Sequence, residues 1–501
     1  MTKNKERSIK NLCFSALGQI ITIAIGLILP RIYMVNFGPE THGLLNSANQ
    51  YVVYLGLFEA GVGAVTLQAL YKPVAERDQN SINSILSATN YYYKRTSIYY
   101  LIGLIILSLV YPFIAHAKLE YWVVCGCIFL SGIGNVVVFA LQGKFRFLLE
   151  AEGKNYITVN LNTIVTVLTG IAKVVLVALG YNVIIVLLAS FVIHCLQTVY
   201  ILIYIKRYYK WLNLKVEPNK KAISQKNYTL LHQIAGLVFQ NTDILILTIF
   251  CDLKVVSVYS IYKLITTHLE NVLNIISNSF NFILGQAFQK NKEIFKQGID
   301  LFESIYSAIA FALFATTLFL YCPFMQLYTS GVEGINYIDS KLAILFVIIA
   351  LLTAARMPML KVIQYAGHFK LTTPQTILET AINLIVSLVG VYLWGIYGVL
   401  LGTVVALFYR TNDVIIYSNI KLLKRSPLKT YSIYFINTTI FLLLQVIFKI
   451  IFSTWKIDSW LDFIGIGSIA IVIALLCFIS IQFIIFPENR NQIINIFKKR
   501  S

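Results

Sequence analysis

Apolar runs long enough to cross a bilayer recur along the whole chain, broken by short polar stretches. They lie near 11–35, 44–71, 91–115, 121–148, 155–179, 183–205, 228–251, 259–286, 302–325, 341–365, 372–394, 396–420, 431–453 and 459–486. A transmembrane helix needs roughly 20 apolar residues. The pattern therefore predicts an all-α, polytopic membrane protein with about 14 transmembrane helices.

The placement of charge tests that pattern independently. Basic residues gather at 3–10, 72–95, 144–154, 206–226, 290–296, 361–370, 421–429 and 490–500, which are every second connection. The intervening connections keep only scattered ones, such as Lys118, Lys254 and Lys456. Cytoplasmic loops carry the excess of Lys and Arg, so the alternation places both termini in the cytoplasm and the spans in a plasma membrane. The opening MTKNKERSIK leads into a stretch too long for the core of a cleavable signal, and the first helix reads as an anchor.

Composition agrees. The 501 residues are 58 % hydrophobic and only 13 % charged, against about a quarter charged in soluble domains. The net charge of +19 would suit nucleic acid, but the basic residues sit in membrane loops rather than on a soluble domain, which excludes that partner. The seven cysteines lie mostly inside apolar runs, and Cys125-Gly-Cys127 lacks the spacing of a zinc or redox motif.

The longest polar connection, near 206–227, contains Pro218 and divides the chain. The expected organisation is a six-helix bundle over 1–210, a cytoplasmic linker over 211–227 and a second six-helix bundle over 228–425. Two additional helices and a tail then fill 426–501. The halves echo each other: AEGKNYIT, from Ala151, returns as AGHFKLTT, from Ala366. Halves with the same in–out sense imply parallel repeats, as in some transporters. External loops are short, the longest being 326–340.

Ionisable residues inside spans are costly and mark functional sites. The candidates are Glu59, Asp243, Glu270, Arg356, Glu379, Arg410 and Asp413, with Arg31 and Lys173 nearer external ends. Lys173 can snorkel to the interface. Arg31 follows Pro30, a helix-kinking residue. Arg410 and Asp413 are three apart and can pair. Asp243 lies near mid-span with no basic neighbour on its own helix. Glu59 sits among Gly56, Ala60 and Ala64, whose four-residue spacing offers a smooth face to another helix; Glu59, Gly63 and Thr66 point elsewhere by the same period.

Two spans carry polar stripes. Thr267, Asn271, Asn274, Asn278 and Asn281 recur at three- and four-residue intervals, with Glu270 beside them. Gln233, Gly236, Gln240 and Asp243 do the same one span earlier. Such spacing puts the amides on one helix face, and amides suit hydroxyl-rich ligands because they both donate and accept. The alternative use is hydrogen bonding between helices. A stripe this long favours a water-filled cavity.

No catalytic constellation appears. The six histidines are scattered, there is no HExxH, and no Walker A sequence couples the chain to ATP. The chain therefore reads as a non-enzyme without metal or organic cofactor, driven by ion or substrate gradients.

FGPETHGLLNS (Phe37–Ser47), EAGVG (Glu59–Gly63), ALYKPVAE (Ala69–Glu76), AGHFKLT (Ala366–Thr372) and the segment from GIYGVLLGT to YRTNDVIIYS (Gly395–Ser418) resemble bacterial polysaccharide flippases. These are oligosaccharide-lipid transporters of the multidrug/oligosaccharidyl-lipid/polysaccharide exporter superfamily, related in fold to MATE exporters. The resemblance runs the length of the chain in motif order. It implies two six-helix bundles around a central cavity, here with two extra C-terminal helices. It also implies movement of an undecaprenyl-diphosphate-linked oligosaccharide from the inner to the outer leaflet by alternating access. The implied partners are the lipid-linked oligosaccharide, membrane lipids, and polymerase or other polysaccharide-assembly proteins. Arg31, Arg356 or Arg410 would meet the diphosphate, since the guanidinium fork matches phosphate oxygens.

One departure matters. The related lipid II flippases have a strongly cationic cavity, whereas here Glu59, Asp243, Glu270, Glu379 and Asp413 equal or outnumber the bases. That favours a surface polysaccharide over a peptidoglycan precursor, and leaves carboxylates for H+ or Na+ coupling. A cation-coupled exporter of drugs or metabolites is the alternative transporter. A membrane-embedded polysaccharide polymerase fits less well, because its chemistry needs a larger external loop.

Overall fold

The computed structural model describes residues 2–59, 62–219 and 241–488, with side chains from residue 22 onward except at 58, 64, 282, 283, 289, 290 and 369. Among these residues every regular element is helical. Helix α1 (Thr2–Leu55) is interrupted at Gly38, whose φ of 82° and ψ of 165° are non-helical. The helical run continues through Pro30, and Gly38-Pro39 is where the first two expected spans meet. A 3₁₀ turn, Gly56–Phe58, and a break lead to α2 (Val62–Glu76). There follow α3 (Gln79–Ile114), α4 (Tyr121–Val137), a π-helical turn (Val138–Gln142) and α5 (Gly143–Ala151). Next come α6 (Asn155–Ala178), α7 (Val183–Tyr208) and the short apolar α8 (Asn241–Phe250). The remainder is α9 (Leu253–Lys290), α10 (Lys292–Tyr328), α11 (Ser340–Tyr365), α12 (Phe369–Trp394), α13 (Ile396–Tyr417), α14 (Leu428–Ile451) and α15 (Trp460–Ile485).

Eleven helices among the described residues are long and apolar enough to cross a membrane, so the chain is a multi-pass membrane protein. Three expected spans do not add to that number, each for its own reason. The run 44–71 is broken between the 3₁₀ turn and α2. Of 228–251, residues 228–240 lie outside the described residues, with Gln233, Gly236 and Gln240 of the first stripe. The run 259–286 is one continuous helix, α9, whose amides and charges keep its hydropathy low.

The chain packs as two compact units, Met1–Ser260 with Val332–Ile335, and Ile261–Gly331 with Asn336–Ser501. In the first, Gly43 lets α1 press against the start of α9: a Cβ there would stand 1.8 Å from the Leu253 carbonyl oxygen. His42 Nδ1 bonds Ser257 at 2.7 Å and Ser47 bonds Thr248 at 2.6 Å across the same junction. After α7 the chain lies along α3, where the Ser87 hydroxyl donates to the carbonyls of Leu214 and Val216 and the Asn219 amide donates to that of Ser84. Residues 220–227 of the expected linker lie outside the described residues.

In the second unit, the Tyr262 hydroxyl donates to the Tyr337 and Asp339 carbonyls and accepts from the Asp339 amide. Polar bonds tie α14 to α10 and α15 to α14. Asn437 donates to Ser307 at 3.1 Å, and Gln482 donates to Asn437 at 2.8 Å. Arg425 pairs with Asp300 and, at 3.1 Å, with the fully buried Glu303.

The echo between the halves is a repeated structure. Asp78 caps α3 and Asn291 caps α10; α5 ends at Ala151 and α11 at Tyr365. The turns that follow each contain a left-handed glycine, Gly153 (φ 70°) and Gly367 (φ 68°). Gly180 and Gly395 mark the next turns, before α7 and α13. The offset is about 214 residues, from 213 at the caps to 215 at the last glycines.

Candidate functional site

Glu59 closes the 3₁₀ turn, half-buried. The Tyr93 hydroxyl of α3 donates to its Oε1, and Arg146 of α5 lies within electrostatic reach. Tyr93 is itself stacked on Phe139 and Phe147, at 6.0 and 6.5 Å between ring centroids. Gly63 completes this nook: a Cβ there would stand 2.4 Å from the Phe147 ring and 3.0 Å from Glu59 Oε1. The periodicity assigned the small residues differently. Among the described residues nothing lies within 4 Å of where a Cβ on Gly56 would stand, so Gly56 seats none of the described helices. Ala60 and the Ala64 side chain lie outside the described residues. The chain changes from 3₁₀ to α geometry across the break, so a single 3.6-residue period does not carry from Gly56 to Gly63.

Beside this nook the first unit holds a cavity of about 400 Å³. Gln142 of the π turn, Arg146 of α5, Asn162 and Thr166 of α6, and His194 and Gln197 of α7 line it. The Gln197 amide donates to Asn162 Oδ1 at 2.5 Å, bridging α7 and α6. Arg146, Asn162 and His194 are exposed. These amides are absent from the intramembrane candidates, because a search for charges passes over neutral Asn and Gln. Their signal was present in the repeat, which sets Gln142 against Arg356, Asn162 against Thr376 and Gln197 beside Arg410, among the charged residues of the second half.

Those charged residues form one cluster in the second unit. Arg356 of α11 donates to Glu379 of α12 at 2.6 Å. Arg410 of α13 approaches the other Glu379 oxygen at 3.6 Å, pairs with Asp413 and donates to Thr376 at 3.2 Å. The Glu379 and Arg410 side chains are each 5 % exposed. Two cations and two anions balance, so the guanidinium forks are already occupied by carboxylates.

On α9 the structure keeps the predicted polar face uncovered. Asn271, Asn274 and Asn278 are exposed, and Glu270 is half-buried within electrostatic reach of Lys263 and Arg356. Asn278 accepts from Asn281 at 3.1 Å and from Lys361 at 3.4 Å, and the Tyr365 hydroxyl donates to Asn281 at 3.1 Å. The stripe thus meets α11 at Lys361 and Tyr365, and reaches Arg356 through the field of Glu270.

Two candidates stand apart from these groups. Asp243 is buried in the first unit, where the Tyr259 hydroxyl donates to its Oδ2 at 2.8 Å and the neighbouring Thr242 bonds Tyr54 at 2.9 Å. It joins α1, α8 and α9. Arg31 lies half-buried on α1, ahead of Gly38. Among the described residues no group of three metal-binding side chains occurs.

No protein-family model and no curated protein matches the chain. Solved structures do. The structure titled lipid II flippase MurJ, inward closed conformation, superposes with a TM-score of 0.67 at 13 % identity, covering 94 % of this chain and 98 % of that one. An inward-facing multidrug resistance MATE family transporter of the MOP superfamily gives 0.55 at 16 % identity, covering 82 % and 99 %. A MATE in the bent conformation gives 0.53 at 14 % identity, covering 86 % and 97 %. The chain has the fold that MurJ and the MATE transporters share.

Proposed function

We propose that the chain is a flippase, moving an undecaprenyl-diphosphate-linked oligosaccharide from the inner to the outer leaflet of a bacterial plasma membrane by alternating access. The expected fourteen spans and cytoplasmic termini belong to this reading. The observation that carries it is the uncovered amide face of α9 running beside a charge-balanced cluster. Carboxamides facing lipid would lack partners, so that face suits water and sugar hydroxyls. Undecaprenyl chains stay in the bilayer while the polar head crosses.

The ion pairs suggest how a diphosphate is held. Glu379 occupies the Arg356 fork at 2.6 Å, as a phosphate oxygen would. An arriving diphosphate takes over Arg356 and Arg410, and the released Glu379 takes up H+ or Na+. The resting protein keeps no unbalanced charge in this cluster, and loading by the anion is linked to loading by the cation. Polymerase and other assembly proteins would receive the product outside.

The experiment is deletion in the native bacterium. Undecaprenyl-linked oligosaccharide should accumulate on the cytoplasmic side, protected from periodate or glycosidase added outside. An intermediate that reaches the outer leaflet and stays unpolymerised would overturn the flippase and favour a polymerase.

A further inference from the structure

The repeat lays two sites over one another, position by position. At the offset of about 214 residues that relates the halves, Gln142 corresponds to Arg356, Asn162 to Thr376 and Val165 to Glu379, and Gln197 corresponds to Thr411, the neighbour of Arg410. The contacts correspond as well. Gln197 donates to Asn162 from α7 to α6, and Arg410 donates to Thr376 from α13 to α12. Thr166 and its counterpart Thr380 each donate to the carbonyl four residues back. One location in the repeat is therefore built twice, once with carboxamides around an open cavity and once with ion pairs in a closed cluster.

We propose that the cavity of the first unit is a carbohydrate subsite, taking one uncharged pyranose of the substrate. The proposal rests on the flippase reading. Three carboxamides, Gln142, Asn162 and Gln197, with Thr166 and His194, offer donors and acceptors in alternation around about 400 Å³. That volume falls in the range of small-molecule sites. Among the described residues Arg146 is the one cation of the lining, and it lies within electrostatic reach of Glu59. The π turn that carries Gln142 is an irregularity of a kind concentrated at functional sites. In the second half α11 passes the corresponding point as regular helix.

The test uses the full-length protein in lipid nanodiscs and two probes. One is the lipid-linked saccharide extracted from cells lacking the protein; the other is bare undecaprenyl diphosphate. The variant is the double substitution Asn162→Leu with Gln197→Leu, which removes both bonded partners together and strands neither amide. Wild type should bind the saccharide-bearing lipid about tenfold or more tightly than the bare lipid, from one or two sugar hydrogen bonds. The double variant should bind both lipids at the bare-lipid affinity, with an unchanged unfolding temperature. Retention of the sugar-dependent gain by the variant overturns the subsite and leaves the flippase standing, and so does an equal loss for both lipids. If wild type binds neither lipid, the flippase reading fails and the subsite with it.

Discussion

The two halves of this chain start from one plan and treat polar groups in opposite ways. In the second, α12 and α13 meet backbone to backbone: a Cβ on Gly398 would stand 1.9 Å from the Gly390 carbonyl oxygen. That approach brings Arg410 against Glu379 and Thr376. In the first, the corresponding positions on α6 and α7 are Leu176 and Ile184, too large for such contact, and a polar cavity lies between these helices and α5. Small residues close one site around its charges; large ones prop the other open around its amides. The lesson is energetic. A buried ion cluster tolerates the loss of a member poorly, because the stranded charge keeps its desolvation penalty, whereas an amide exposed in a cavity keeps its access to water.

The sharpest way to break that contrast is Glu379→Gln. It leaves Arg356 and Arg410 facing a neutral amide, and removing one partner of a buried pair costs about 3–5 kcal/mol. We expect a large drop in unfolding temperature in detergent and loss of transport. Asn162→Leu with Gln197→Leu, at the matching place in the first half, should leave the unfolding temperature near wild type. Equal destabilisation by the two changes would erase the distinction drawn between a structural charge cluster and an open binding cavity.

Gly398→Ala ranks next. The added methyl collides with backbone at Gly390, not with a flexible side-chain tip, so α12 and α13 must separate. Overpacking of this kind costs about 1–3 kcal/mol, and moving Arg410 away from Glu379 adds to it. Ile184→Ala, its counterpart on α7, removes apolar volume from a half-buried position and should be milder. Thermal unfolding of the two variants side by side checks the order.

Much of this was legible in the sequence, and what was not has physical causes. Apolar run length and alternating loop charge gave the membrane-spanning helices, because both follow from the bilayer as solvent. The polar face of α9 was legible because the residues share one unbroken helix and one period. The charge cluster was visible only in part: Arg410 with Asp413 follows from spacing, but Arg356 and Glu379 meet across helices, and no local pattern encodes that. Gly63 falls beside Glu59, as their shared period suggests, but Gly56 does not join a helix-seating face, since a helix break resets the period past Glu59. The cavity amides went unnoticed for a different reason. Neutral residues raise no alarm in a hydropathy scan, and their meaning appears only when the repeat sets them against charged counterparts.

The smallest expected effect tests the repeat itself, at the matched caps of α3 and α10. Asp78 Oδ1 accepts from the amides of Asn80 and Ser81, both at 3.1 Å, and Asn291 Oδ1 accepts from Glu293 and Ile294 at 2.8 and 3.2 Å. The geometry is shared, but one cap titrates and the other does not. Bonds from the Ser81 hydroxyl and amide, then the Asn80 amide, hold the Asp78 carboxyl below its ordinary value. A depressed carboxyl stabilises the fold at pH values above its ordinary range and loses that contribution as pH falls through the lowered value. Acidification below about pH 4 should therefore lower the protection factors of the first turn of α3, after correction for the intrinsic pH dependence of exchange, more than those of the first turn of α10. Asp78→Asn should abolish the difference and Asn291→Asp should transfer it to α10. If the acid-sensitive exchange stays at α3 in both variants, the carboxyl at the cap is not its source, and the matched caps lose their place as evidence of a shared plan.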